Sequence, residues 1–396
     1  MSYASIVPLI GGETIAMEKV FGSRPEYILS YSGFEANDQH LLNYYSNSVP
    51  YVLLDQSSYN PRNVDVVNTV CPCAGLSSLS PTSSGSSATN DWMVNSAEYV
   101  LESIKPMVFW GENAPRLASK MGEPVVRRLR DIGKRNGYTF SIYKTKSILH
   151  GLSQVRDRTF YFFWKGEKVP QFEYIKREHE KIEETIRSVK RDPNDQMNVL
   201  TNLAVPSENP YYKYVLQEIE GGIDHYTFSS KIKKTTGVYT YIEAHTTYDK
   251  VSEWMTKNGY DNEAKKCMKK YHKLKSGGNI MRHGLEVPKD FIGAFVGNKV
   301  NSLTHPDEDR YLTIRECLSI MKLPDDFILQ GGIKNLNHIC QNVPVTTAID
   351  MAEHVQKFVD GRLDNQLIDT DFIIQDNKNQ SINYEKSSVQ LEQFMV

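Results

Sequence analysis

The chain has 396 residues, 40% of them hydrophobic and 24% charged, with a formal net charge of −2. It is long enough to bury a full core in two domains and has the composition of a soluble globular protein. No run approaches the ~18–20 apolar residues that span a bilayer, so no membrane partner is expected. Met1-Ser2-Tyr3-Ala4-Ser5 lacks the basic-then-apolar pattern of a secretory signal. Five cysteines are an odd count, and Cys71 and Cys73 stand too close for an ordinary bridge. Both features predict a reducing, cytoplasmic setting.

In chain order, Ile6-Val7-Pro8-Leu9-Ile10 reads as a short buried strand. Gly11-Gly12 then opens a helix-like segment from Glu13 to Phe21. Further strands are predicted at 27–32, 51–54, 64–70 and 107–110, with helical patterns between several of them, such as 97–104. Strands alternating with helices predict a mainly parallel α/β sheet, and ligands of such sheets sit at the carboxyl ends of the strands. Gly11, Glu35, Asp55, Cys73 and Glu112 all fall at those ends.

Arg127 to Arg130 read as part of an amphipathic helix, and Phe160-Tyr161-Phe162-Phe163-Trp164 as a buried core strand. From 168 to 290 the texture becomes polar and rich in Lys and Tyr, with short mixed runs such as Gly237-Val238-Tyr239-Thr240-Tyr241-Ile242. Helical periodicity returns at 313–321 and 348–359. Beyond about 365 the chain is rich in Asn, Gln and Asp, a composition that predicts no firm fold. The expected domains are 1–167, a smaller separate one at 168–290, a return to the first at 291–365, and a polar tail at 366–396.

The net charge argues against a nucleic-acid binder, but it hides distribution. Lys231, Lys233 and Lys234 cluster, as do Lys265, Lys266, Lys269, Lys270, Lys273 and Lys275. These lysines fit either a solvated helix face or a phosphate-contacting surface.

Chemistry is densest at Thr69-Val70-Cys71-Pro72-Cys73-Ala74-Gly75-Leu76-Ser77. A Pro-Cys pair follows an apolar run and precedes a Ser/Gly/Thr/Pro tract reaching Asn90. That puts a thiol at a strand end beneath a loop suited to closing, the arrangement of covalent catalysis. A lone Pro-Cys is more often a small buried hydrophobe. Cys71-x-Cys73 has no matching Cys/His pair at zinc-site spacing, so no metal is expected.

Three further runs follow: Phe109-Trp110-Gly111-Glu112-Asn113, then Gln154-Val155-Arg156-Asp157-Arg158, then Arg310-Tyr311-Leu312-Thr313-Ile314-Arg315-Glu316. In order and spacing the series resembles the motifs of the cytosine-5 DNA methyltransferases: Pro-Cys, Glu-Asn, Gln-x-Arg-x-Arg and Arg-x-Leu-Thr-x-Arg-Glu. The resemblance covers about 5–165 and 290–355. It implies a Rossmann-like S-adenosylmethionine-dependent methyltransferase sheet with a smaller, mixed target-recognition domain at 168–290.

The same resemblance implies roles. Cys73 would attack carbon 6 of a cytosine flipped out of double-stranded DNA, Glu112 would protonate ring N3, Arg158 would bond O2 and Arg156 would brace the site. Ile10, Gly11, Gly12, Glu35, Asp55, Pro72, Gln341 and Asn342 would hold S-adenosylmethionine. Ser77, Lys233, Lys265 and Lys269 would contact DNA. The protein would act as a monomer. Three positions depart from the family pattern: Val7 and Leu9 replace a Phe and a Gly, Ala74 replaces a Gln, and Cys340-Gln341-Asn342-Val343-Pro344 replaces Gly-Asn-x-Val-Pro. The altered donor motifs leave room for a catalytically silent DNA-binding homologue, and one family branch acts on transfer RNA.

Overall fold

The computed structural model describes residues 1–72, 75–76, 84–282 and 284–384. They form two compact units. The first comprises Met1–His179, Met321–Gln330 and Gln341 onward, and the second Glu180–Ile320 with Gly331–Cys340.

The first unit is built on one nine-stranded sheet. Its strands are β1 (Tyr3–Ile6), β2 (Ile28–Ser30), β3 (Tyr51–Leu53), β4 (Val66–Thr69), β5 (Val108–Asn113), β6 (Tyr138–Lys146), β7 (Asp157–Lys165), β8 (Phe372–Asp376) and β9 (Ser381–Tyr384). Their spatial order is β3-β2-β1-β4-β5-β7-β6-β8-β9. All neighbours are parallel except β7, antiparallel to β5 and β6, and β9, antiparallel to β8. From β1 the chain runs outward to β2 and β3 on one side and then to β4 and β5 on the other, so the carboxyl ends of β1 and β4 form a topological switch point.

Helices α1 (Gly12–Phe21), α2 (Glu35–Tyr44), α3 (Asp91–Tyr99) and α4 (Glu123–Arg135) belong to this unit, as does the Val345–Val359 helix. α1 starts from Gly11 at φ 91° and stops at Gly22 at φ 73°, whose N–H bonds the Glu18 carbonyl. Both are left-handed positions that glycine adopts without a Cβ clash. In α4, Val125, Val126, Leu129 and Ile132 make one buried stripe while Arg127 and Arg128 pair outward with Glu123 and Asp91. The aromatic run of β7 is fully buried on both faces: Phe163 stacks on Phe109 at 5.6 Å and Phe162 on Trp110 at 5.9 Å.

Three sequence expectations change here. The apolar run 6–10 is not a strand, because β1 ends at Ile6 and the chain turns at once, with Val7 at φ 50° and Leu9 at φ 52°. Hydrophobicity marked burial correctly but could not distinguish a strand from a buried turn. The expected polar tail instead supplies β8 and β9. Phe372 and Ile373 are buried, and β8 lies parallel to β6 from Phe372↔Phe140 to Asp376↔Lys144. Sheet pairing gives those amides partners that composition could not reveal. Finally, 168–179 belongs to the first unit and 291–320 to the second, so the smaller unit lies later in the chain than 168–290.

The second unit has its own core, including Tyr212, Phe228, Ile242, Val251, Met255, Cys267 and Val287. Its longer helices are α5 (Val238–His245), α6 (Tyr248–Lys257), α7 (Asp261–Lys275) and α8 (Ile314–Ile320). The mixed run at 237–242 is therefore mostly helical. The Arg-x-Leu-Thr-x-Arg-Glu run is an architectural device here. Glu316 accepts from the Thr313 N–H at 2.7 Å, the Thr313 hydroxyl accepts from the Glu316 N–H at 3.2 Å, and Arg310 clamps the same carboxylate at 2.8 and 2.9 Å. The reciprocal Thr–Glu bonds form a capping box at the start of α8.

Candidate active site

The loop after β1 is fixed from both sides. The Val7 N–H bonds the Leu29 carbonyl at 2.8 Å, and the Val7 carbonyl accepts from Val70 at 3.1 Å, joining the ends of β1, β2 and β4. Ile10 is buried in this turn, which closes by the Gly11 N–H donating to the Pro8 carbonyl at 3.0 Å. A Cβ on Gly12 would stand 2.5 Å from Asn342 Nδ2 and 2.7 Å from the Val343 carbonyl. Glycine is thus needed there for the Asn342 segment to approach α1. Asn342 is buried, and both its side-chain polar atoms lack a hydrogen-bond partner among the described residues. Gln341 accepts from Asn37 on α2 at 2.6 Å.

Glu35 and Asp55 converge on one short loop after β2. Glu35 accepts from the Gly33 N–H at 2.6 Å and Asp55 from the Ser32 N–H at 2.9 Å. Both carboxylates are exposed. The Ser32 bonds hold the Asp55 carboxyl below its ordinary value. Between them in sequence sits Asp38, which is buried and accepts from the Tyr51 hydroxyl at 2.9 Å. Burial pushes its carboxyl up to about 7.

Pro72 follows the end of β4, while Cys73, Ala74 and Ser77 lie outside the described residues. Cys71 is buried and hydrogen-bonded to Thr69 at 3.2 Å, and burial pushes its thiol up to about 11. Its carbonyl accepts from Asn113 at 3.5 Å, and the same amide's oxygen accepts from Ala114 N–H at 2.9 Å. Asn113 thereby ties the Cys71-Pro72 segment to the end of β5.

Glu112 sits at that same strand end, 3% exposed. It forms an ion pair with Arg158. The register explains the meeting: Glu112 pairs with Phe160 and Asn113 with Thr159, so Arg158 is one residue beyond. Because β7 is antiparallel, its first residues lie at the carboxyl ends of its parallel neighbours. Arg156, just before β7, is fully buried. Burial raises the Glu112 carboxyl pKa despite the opposing pull of Arg158 and Arg156. A raised carboxyl favours the protonated form, a general acid's requirement.

Behind this arm runs a buried chain of polar groups. Thr145, opposite Arg158 on β6, bonds His150 Nε2 at 2.7 Å, and His150 Nδ1 meets Asp350 at 2.6 Å. Arg177 reaches the other Asp350 oxygen at 2.7 Å. Sequence reasoning missed this chain and also the roles of Asn113 and Asp38. Their separations, 200 residues for His150 and Asp350, leave no local signal.

In the second unit Lys233, Lys265 and Lys269 are exposed. Lys265 and Lys269 lie on α7; Lys233 lies before α5. Lys270, by contrast, is half-buried, with its ammonium 4.6 Å from the Tyr211 ring centre and 4.2 Å from that of Tyr239. Among the described residues no cluster of three His, Cys, Asp or Glu is placed to hold a metal ion, and no helix is long and apolar enough to cross a membrane.

A largely parallel sheet with β7 inverted inside it and β9 antiparallel at its edge, a glycine turn after β1 and carboxylates after β2 and β3 belongs to the Rossmann-like class of S-adenosylmethionine-dependent methyltransferases. A profile of the C-5 cytosine-specific DNA methylases matches residues 9–357, and the chain belongs to that family. It is a methyltransferase whose methyl donor is S-adenosylmethionine.

Among solved structures the chain is similar to a putative DNA modification methyltransferase encoded within a prophage of E. coli. The two share 13% identity over 92% of this chain and 99% of that one, with a TM-score of 0.53. It is also similar to the methyltransferase EhMeth of Entamoeba histolytica, with 11% identity over 91% and 98% of the two chains and a TM-score of 0.51. For the Dnmt2 methyltransferase of S. pombe the values are 12% identity, 91% and 99%, and 0.50. These likenesses concern the fold. No curated protein matches the sequence.

Proposed function

We propose that the protein is a DNA cytosine-5 methyltransferase that acts on a base flipped out of the duplex. The observation that carries this reading is the buried Glu112–Arg158 ion pair at the same sheet edge as Pro72. Carbon 5 of cytosine is a poor nucleophile until a thiolate adds to carbon 6. Cys73 is the thiol assigned to that attack. As the sulfur–C6 bond forms, the C5–C6 π pair moves into C4–C5, the C4–N3 π pair moves to N3, and N3 takes the Glu112 proton. Arg158 then faces the carboxylate left behind and bonds O2; Arg156 braces both. The base must leave the stack for a side chain to reach it.

Several features support the assigned donor site. Gly11 and Gly12 permit close backbone approach, Glu35 and Asp55 offer acceptors for ribose hydroxyls and the adenine amine, and buried Asn342 has unfilled polar atoms. Ile10, Pro72 and Gln341 complete that surface. S-adenosylmethionine, when bound, supplies the methyl group to carbon 5. Loss of the C5 proton to solvent, departure of the thiolate and return of the N3 proton to the Glu112 carboxylate restore the ring. The second unit reads sequence, with Lys233, Lys265, Lys269 and Ser77 of the catalytic loop as phosphate contacts.

One observation favours a second reading, a catalytically silent DNA-binding homologue: Val7 and Leu9 hold positive φ without being glycine, in the loop that faces the donor. A single assay separates the possibilities. The full chain is incubated with labelled S-adenosylmethionine and either duplex DNA or transfer RNA. Label at carbon 5 of DNA cytosine supports the main reading, label only on RNA moves the substrate, and donor binding without transfer supports the silent homologue.

A further inference from the structure

Between β6 and the run 154–158 that carries Arg156 and Arg158, the chain turns a corner over residues 147–153. Backbone bonds close that corner. The Ser147 N–H donates to the Arg156 carbonyl at 3.0 Å, and the His150 N–H donates to the Ser147 carbonyl at 3.0 Å. Thr145, just before the corner, and Arg158, just after it, are cross-strand partners. Their side chains therefore leave the sheet on one face as immediate neighbours.

The polar chain that ends at Thr145 has a definite direction. It starts at Asn377, directly after β8. Ile175 orients that amide: the Asn377 oxygen accepts from the Ile175 N–H at 2.7 Å, and its nitrogen donates to the Ile175 carbonyl at 3.0 Å. The same nitrogen donates to the Thr145 hydroxyl at 3.0 Å. Thr145 thus keeps its one proton for His150 Nε2, 2.7 Å away, which leaves the ring proton on Nδ1, 2.6 Å from Asp350. Arg177 pairs with the other Asp350 oxygen at 2.7 Å.

Hydroxyl, imidazole and carboxylate stand in the order of a hydrolase triad. Thr145 is 0% exposed, however, and His150 and Asp350 are each 1% exposed. Burial closes the hydroxyl to any substrate, so the chain has no covalent chemistry to perform. Its effect is mechanical. Hydrogen bonds linked in a low-dielectric interior strengthen one another and rigidify what they join. Here they join β6, the corner, the residue after β8 and the Val345–Val359 helix, and the hydroxyl they fix stands beside Arg158.

We propose that His150 is a positioning residue for methyl transfer: by bridging Thr145 and Asp350 it fixes the corner after β6, so that Arg156 and Arg158 are held at Glu112. Catalytic groups lose rate steeply when displaced by about 1 Å, which makes a rigid corner worth the burial of three polar groups. This inference rests on the cytosine-5 methyltransferase reading for its effect on rate, but the positioning itself is a property of the folded chain.

The test reads the two separately. Infrared titration of the full chain follows the carbonyl band of protonated carboxyl groups, and the band that Glu112→Gln removes belongs to Glu112. Arg158 and Arg156 pull that carboxyl down against burial. In His150→Ala the arginines are released, and the Glu112 band titrates about one pH unit or more above wild type. Single-turnover methyl transfer slows by about 10- to 100-fold, its alkaline limb moves up with the band, and S-adenosylmethionine affinity measured by calorimetry is unchanged. His150→Gln, whose amide oxygen can still accept from Thr145, recovers part of the wild-type titration. Thr145→Val cuts the chain beside Arg158 with little change of shape and moves the band in the same direction as His150→Ala. An unchanged Glu112 titration in a folded His150→Ala overturns the proposal, whatever thermal stability is lost. Should that variant fail to fold, Thr145→Val decides in the same way. A shifted band in a protein that transfers no methyl group would fault the functional reading and leave the positioning intact.

Discussion

Glu112 near the end of β5 and Arg158 near the start of β7 are ion-paired in a buried setting, brought together because β7 runs against its neighbours. Removing either partner leaves an uncompensated buried charge, which typically costs about 3–5 kcal/mol. Arg158→Ala is therefore expected to lower stability in urea titration as well as abolish methyl transfer. Arg158→Lys should recover part of the stability, since the charge remains, but little activity, because a point charge cannot reproduce the planar fork.

Glu112→Gln should preserve nucleic-acid binding and slow methyl transfer by about 100-fold or more, the usual range for a lost general acid. The pH dependence has a definite sign. Burial raises the carboxyl, so the protonated form persists above the ordinary carboxylate range, and activity falls as pH climbs through the raised value. A rate independent of pH in single-turnover assays with Glu112→Gln matching wild type would make Glu112 structural.

Two cysteines stand two residues apart, and the environment of one is known. Cys71 is buried with its thiol pushed up to about 11, too high to provide much thiolate at neutral pH. Duplex DNA bearing 5-fluorocytosine should therefore form a covalent adduct that Cys71→Ala keeps and Cys73→Ala abolishes. Denaturing gel electrophoresis reads the outcome directly, and an adduct with Cys73→Ala would refute the assignment.

The exposure of Glu35 sets the size of its effect. It is not a buried group, so Glu35→Ala should weaken S-adenosylmethionine binding by only about 0.5–1.5 kcal/mol, the net value of an ordinary hydrogen bond. Calorimetry with donor alone checks this. Lost DNA affinity with unchanged donor affinity would count against the donor-site assignment.

The lysines of α7 should divide into two kinds. Neutralising Lys265 and Lys269 should lower affinity for all DNA sequences and flatten its dependence on salt, without changing which cytosine is methylated. Lys270 packs against two tyrosine rings, and its substitution should destabilise the second unit instead. Binding isotherms at several salt concentrations, with thermal melts, distinguish the two.

The sequence by itself determined the alternation of strands and helices, the glycine turn before α1, the strand-end positions of Glu35, Asp55 and Glu112, and the order of motifs that matched the family. All of these are local: each depends on periodicity, on a residue's own φ preference, or on spacing within a short run. The tertiary structure alone decided the rest. Whether Ile6 to Ile10 extends or turns depends on bonds from Val7 to Leu29 and Val70. The Asn- and Asp-rich segment after 365 becomes sheet only because β6 offers an open edge. Arg158 reaches Glu112 only because β7 is inverted, and His150 meets Asp350 across 200 residues. Solvent exclusion and strand direction are properties of the assembled sheet, and no window of sequence contains them.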